Sequence, residues 1–307
     1  MRGIFTATRA ALCVLALLFA AAGAHAQQLE PRSYTNTPVG LNFLLAGYGY
    51  TEGSVGVDPA VPIDDAQLRT NSAVVGYSRS LGIWGLSGKV AALLPYTGLE
   101  GSALVDGQPR QRDVSGFGDS LLRFSVNFLG APAISLKDFA GYRQDLIVGA
   151  TLLVSAPLSQ YDSSKIVNIG TNRWSFKAEL GISKEWGAWT VEVAPSITVF
   201  TDNNDFLNGG TIEQDPLYAA QAHLIYGFQS GIWLALDGTI YTGARTTFNG
   251  VEQDNEQSNT RLGFTVALPV DRYNSVKLYG STGTSSRTGS DYDGLGIAWQ
   301  YRWGEGF

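Results

Sequence analysis

The stretch that decides the fold is the C-terminal "GLGIAWQYRWGEGF" (residues 294–307). Leu295, Ile297, Trp299, Tyr301 and Trp303 are large and apolar, whereas Gly296, Ala298, Gln300, Arg302 and Gly304 between them are small or polar. A period of two sends alternate side chains to opposite faces, so this is a strand with one strongly apolar face. A soluble protein buries such a face beneath further chain. Here the sequence supplies no cover after it, so the face is expected to meet lipid, with Phe307, after an interruption at Glu305, ending the pattern as a signal for outer-membrane assembly.

The opposite end predicts export. "MRGIFTATRAALCVLALLFAAAGAHAQQ" (1–28) places Arg2 and Arg9 before an apolar run and closes on Ala24-His25-Ala26, the layout of a secretory signal peptide. Cleavage after Ala26 leaves 307 − 26 = 281 residues. Cys13, Met1 and His25 depart with the signal, so the mature chain has no cysteine chemistry. Its basic residues fall to 21 − 2 = 19 against 27 acids, a formal charge of −8 that argues against a nucleic-acid partner. No later apolar run approaches the roughly 20 residues of a membrane helix. A closed barrel crosses a bilayer without one, because it pairs all its backbone groups and leaves no edge.

Twelve strand-like stretches lie near 38–50, 66–79, 83–98, 113–129, 143–157, 171–185, 189–201, 215–229, 232–245, 257–269, 274–284 and 291–303. A short helix fits only in 131–141. Connections after even strands are tight, except the one after the fourth. Those after odd strands are longer and polar, for example "TEGSVGVDPAVPIDD" (51–65), "LEGSALVDGQPRQ" (99–111), "TDNNDFLNGGTIEQ" (201–214) and "RTTFNGVEQDNEQ" (245–257). The expected fold is therefore all-β: a transmembrane antiparallel up-and-down β-barrel with short periplasmic turns and long extracellular loops. It would span 38–307, after a signal peptide (1–26) and a periplasmic segment (27–37). Of the seven Trp, five (Trp84, Trp186, Trp189, Trp233 and Trp303) fall beside the periplasmic turns, as an aromatic girdle requires.

Several segments resemble a family of outer-membrane proteins named for the MetA pathway of phenol degradation. They are "QLEPRSYTNTPVGLNFLLAGYGYTEGSV" (28–55), "GFGDSLLRFSVNFLGAPA" (116–133), "LIVGATLLVSAPLSQYD" (146–162) and "GIAWQYRW" (296–303). The resemblance runs nearly the whole chain. It implies a β-barrel with a role in uptake of aromatic or other apolar compounds, and it carries over no catalytic residues.

Charge facing lipid at mid-depth costs about 2–4 kcal/mol. The charged and polar residues set between apolar strand positions are therefore expected to line the lumen: Asn42, Lys89, Asp119, Arg123, Lys177, Glu179, Glu192, His223, Asp237, Arg261, Lys277, Gln300 and Arg302. Asn42 is assigned inward on the premise that Leu41, Phe43 and Leu45 face out. The set forms either a solute path or a plug. "GDSL" (118–121) matches a hydrolase nucleophile block, but no His follows at the required place; a lone lumen His223 lacks a neighbouring Ser; and "DNNDFLNGG" (202–210) lacks calcium-loop spacing. No enzyme activity, cofactor or metal is expected. The leading expectation is an outer-membrane channel for small apolar or aromatic solutes. The alternative is a sealed structural or adhesion barrel acting through its loops. The expected surroundings are lipid and lipopolysaccharide of a Gram-negative outer membrane, the barrel assembly machinery and a small solute.

If the terminal alternation guides assembly, Phe307→Ser lowers the amount of assembled protein in outer-membrane fractions while Gln300→Ala, on the other face, does not. Equal assembly of Phe307→Ser and the parent would remove that role from Phe307.

Overall fold

A computed structural model describes residues 30–56, 63–105, 107–165, 167–286 and 289–306. The expected signal peptide and Phe307 lie outside the described residues.

Each expected strand is present, and the chain closes into an antiparallel barrel. Its wall consists of β1 (Leu41–Gly56), β2 (Ile63–Ile83), β3 (Leu86–Val105), β4 (Gln108–Phe117), β5 (Ser120–Leu129), β6 (Leu146–Ala156), β7 (Ser175–Trp186) and β8 (Trp189–Phe200). It continues through β11 (Leu217–Gly227), β12 (Trp233–Gly243), β15 (Gln257–Pro269), β16 (Asn274–Ser286) and β17 (Gly289–Gly304). β4 and β5 are two halves of one wall strand, which gives the expected twelve. The break at Gly118-Asp119 lies beside Pro95, where β3 changes partner from β5 to β4. Proline has no N–H for the ladder, and its carbonyl instead takes the Gly118 N–H at 2.9 Å.

Closure is made by β1 against β17, in register from Leu41↔Gly304 to Gly56↔Gly289. The opening stretch of sequence is thus the seam of the barrel. Its Leu295, Ile297, Trp299 and Trp303 project outward, as do Leu44, Val75, Leu94, Phe124, Leu180 and Leu236 on other strands. Arg261, Glu192, Asp119, His223 and Asp237 are instead among the buried residues. This inversion of the soluble pattern is what a lipid solvent imposes.

Two placements correct the sequence reading. In β1 the exposed side chains are Leu44, Ala46 and Tyr48, so Leu41, Phe43 and Leu45 face in and Asn42 faces out. Asn42 sits at the outer rim, accepting from the Tyr77 hydroxyl at 2.6 Å. Trp233 shares parity with buried Ala235, Asp237 and Thr239 and therefore turns into the barrel. Trp84, Trp186, Trp189 and Trp303 do face outward.

The long connections also differ from free loops. Residues 99–105 and 108–111 continue the β3–β4 ladder, so most of "LEGSALVDGQPRQ" is strand, as are the described parts of "TEGSVGVDPAVPIDD". β2 spans 21 residues and β3 spans 20. About 9–11 residues suffice to cross the bilayer, so this sector of wall stands well above it. The loops after β8 and β12 form a small external sheet from β9 (Asn203–Phe206), β10 (Gly210–Gln214), β13 (Thr246–Phe248) and β14 (Val251–Glu252). The connection after β5 holds the expected helical turn, Leu136–Phe139, capped by Ser135.

A closed wall has no edge from which to unzip. The protein should run faster unboiled than boiled on a detergent gel, and identical migration would contradict closure.

Candidate functional site

The candidate site is the lumen, and alternation along the wall decides which residues enter it. Lys89, Arg123, Lys177, Glu179, Glu192, His223, Asp237, Arg261, Lys277 and Gln300 all share the parity of the buried faces of their strands. Asp119 is buried at the β4–β5 break. Arg302 has inward parity but lies at the exposed periplasmic rim, where its Nε donates to the Arg272 carbonyl at 2.9 Å.

Many of these groups converge on something the sequence reading placed outside the barrel. Residues 30–37, assigned to the periplasmic segment, lie within the wall. The Glu30 carboxylate pairs with Arg123, and its N–H reaches Gln221 Oε1 at 3.4 Å. The Arg32 N–H donates to Glu192 Oε2 at 2.8 Å, and the Arg32 guanidinium lies 5.6 Å over the inward Trp233 ring. Lys89 Nζ donates to the carbonyls of Ser33 (3.4 Å) and Thr35 (3.1 Å), and Asn127 donates to that of Tyr34 at 3.3 Å. A segment without a strand partner brings orphan backbone groups into the lumen, and buried backbone groups must be paired. The wall side chains supply those partners. The segment also holds Arg32 at φ +68°, a left-handed conformation that a non-glycine residue keeps only when its surroundings compensate.

Tyr34 is the anchor, only 1% exposed. Its ring packs with Ala131, Ile147 and Ala194, and its hydroxyl lies 2.8 Å from Glu179 Oε1 and 3.1 Å from Thr151 Oγ1. Burial, reinforced by the Glu179 charge, pushes the phenol pKa up, so the hydroxyl stays protonated and donates. Glu179 is paired on its other side with Lys177 at 2.8 Å.

Further along the lumen, His223 Nδ1 stands 2.6 Å from Asp237 Oδ1, and Asp237 Oδ2 accepts from the Thr265 hydroxyl at 2.9 Å. A hydroxyl nucleophile needs its proton on the base. Here the hydroxyl is on the carboxylate, so the trio is a hydrogen-bonded brace. Ser120 of "GDSL" is a strand residue facing Ala156 across β5–β6. Lys277 lies 5.9 Å over Tyr279, and Arg261 stacks 3.7 Å over Tyr292 and donates to Ser281 at 2.8 Å.

At the extracellular end, chain from the β6–β7 connection packs on the inner face of the wall. Asp119 Oδ2 accepts from the N–H (3.0 Å) and the hydroxyl (2.8 Å) of Thr171, which holds the connection down. Val167 and Ile169 then pack on inward Leu99. In the external hairpin, Asn203 Oδ1 accepts from Asn172 and from the Asp205 N–H, both at 3.0 Å. Among the described residues no three His, Cys, Asp or Glu side chains stand close enough to share a metal ion.

Of the expected lumen residues, Lys89, Arg123, Glu179 and Glu192 meet this segment, which the sequence reading did not place inside the barrel. The signal was "EPRSYTNTP" (30–38), a charged and aromatic stretch without strand alternation directly before β1.

The model of the family described as "Putative MetA-pathway of phenol degradation" matches residues 48–301. Among solved structures, the chain is similar to an outer membrane channel from Pseudomonas putida F1, with TM-score 0.77 and 21% identity over 90% of this chain and 100% of that one. It is also similar to the β domain of the Bordetella autotransporter BrkA, with TM-score 0.52 and 10% identity over 86% of this chain and 100% of that one. These likenesses concern the barrel fold. No curated protein matches the chain.

Asp237→Ala removes the shared acceptor of His223 and Thr265. An unpaired buried donor costs about 1–3 kcal/mol. The variant should therefore unfold at lower denaturant in lipid vesicles, with strand content unchanged. An unchanged midpoint would show that the brace bears no stability.

Proposed function

The chain belongs to the phenol-degradation family just described, and on that footing we infer that it is an outer-membrane channel for small apolar or aromatic solutes, opened by withdrawal of residues 30–37. The observation that carries this reading is how the segment is held. It has no strand pairing with the wall, and its bonds are side chain to backbone, side chain to side chain, and one buried ring. Each can be exchanged for water or solute without opening the barrel. A permanent filler has no need of such attachment.

The lumen charges divide accordingly. Arg123, Lys89, Glu192 and Glu179 form the seat of the plug, with Lys177 compensating Glu179. His223, Asp237, Arg261 and Lys277 line the wall elsewhere in the lumen. The outward Trp84, Trp186, Trp189 and Trp303 act as the periplasmic girdle, and Trp233 has a different task, carrying the Arg32 guanidinium. On this reading the plug is a gate, and lipid and lipopolysaccharide surround the wall.

Deleting residues 27–37 should raise single-channel conductance of the refolded protein in planar bilayers at least several-fold, with heat-modifiability retained. A deletion variant that folds and still conducts no more than the parent would favour the sealed barrel working through its loops.

A further inference from the structure

We propose that the slot filled by the Tyr34 ring is a binding site for monocyclic phenols, which occupy it when the N-terminal segment leaves. The proposal rests on the gated-channel reading and names the class of solute that the gate admits.

The slot is made by absence of side chain. Gly149 of β6 and Gly181 of β7 are register partners, and both face inward. A β-carbon at Gly181 would fall inside the contact radius of Tyr34 Cδ2, Cε2 and Cζ, and one at Gly149 would lie 2.9 Å from Cδ1. Only the glycine pair makes the wall deep enough for an aromatic ring. Ile147 and Ala194 supply its apolar sides.

At the closed end of the slot stand Glu179 and Thr151, 2.8 Å and 3.1 Å from the ring hydroxyl. The occupant is in chemical terms a para-substituted phenol: one ring, one hydroxyl that donates to a carboxylate, one substituent leading away. A free phenol offers the same ring and the same donor. Benzene would fit the width but offer no donor to Glu179 Oε1, whose other oxygen is held by Lys177, and sites built to hydrogen-bond a hydroxyl reject analogues lacking it. A phenolate would set its charge against Glu179. The slot therefore selects neutral phenols over both.

In the parent protein Tyr34 competes for the slot, and the apparent affinity for a free ligand falls by the fraction of molecules with the slot vacant. The test uses the full mature chain in detergent, with phenol as probe and calorimetric titration as readout. Tyr34→Ala should bind phenol at least about tenfold more tightly than the parent. It should bind benzene at least about tenfold more weakly than phenol. Adding Gly181→Ala to Tyr34→Ala should abolish the gain. Equal phenol binding by the parent and Tyr34→Ala, equal binding of benzene and phenol, or indifference to Gly181→Ala would each overturn the slot. Should Tyr34→Ala fail to fold, the chain lacking residues 27–37 presents the same slot for the same titrations. Conductance of that variant separates the two readings. Increased conductance without phenol binding overturns the slot alone, and phenol binding without increased conductance overturns the gate while leaving the slot.

Discussion

Everything in this molecule depends on the pairing of β1 with β17. A bilayer offers no water to backbone N–H and C=O groups, so a sheet can stand in it only when its last strand meets its first. Once that seam is set from Leu41↔Gly304 to Gly56↔Gly289, the direction of every wall side chain follows by alternation. Lipid then requires the outward half to be apolar, and the inward half is released from that demand. The charged residues of the lumen are free to be there because the seam is closed, and they are kept there because the outside is forbidden to them.

Alternation explains which parts of the fold were legible. Stretches with polar residues on one face only, such as residues 175–183 of β7 with Phe176, Ala178, Leu180 and Ile182 against Lys177, Glu179 and Ser183, declare their orientation. β1 does not, since Leu41, Phe43, Leu44 and Leu45 put apolar groups on both faces near the periplasmic rim, and Asn42 was read on the wrong side. There a rim asparagine reaches Tyr77 and the headgroup level, so its polarity says nothing about the lumen. Trp233 was readable in principle. It stands four residues from Asp237, on the same face, and an inward Asp237 fixes an inward Trp233. A rule about aromatic girdles overrode the parity that its own strand displayed.

The N-terminal plug was illegible for a different reason. Periodicity finds elements that repeat, and residues 30–37 repeat nothing. Their structure is dictated by partners more than 50 residues away in sequence: Lys89, Arg123, Glu179 and Glu192. A list of inward charges does not say whether they face water, each other or a returning segment. The missing clue was the backbone: a short stretch with no strand partner brings donors and acceptors that something must satisfy.

The same wall device occurs twice, with the ring tethered differently at each site. Gly49 of β1 and Gly296 of β17 are also register partners, and Tyr279 of β16 lies over them, with its ring against Gly296 and its hydroxyl 3.5 Å from the position a Gly49 β-carbon would take. An aromatic ring laid across paired glycines restores packing that the glycines give up. Tyr279 is itself a wall residue, held by the β16–β17 ladder, so its ring is a permanent part of the lining. Tyr34 does the same at Gly149 and Gly181, five strands around the barrel, but its backbone is tied only through side chains. The two sites share a shape and differ in tether. A ring fixed by a strand can only line a pore, whereas a ring carried on an unpaired segment can be exchanged for another ring. On the proposed reading, that difference in attachment is what turns a packing solution into a place where a solute and a gate compete.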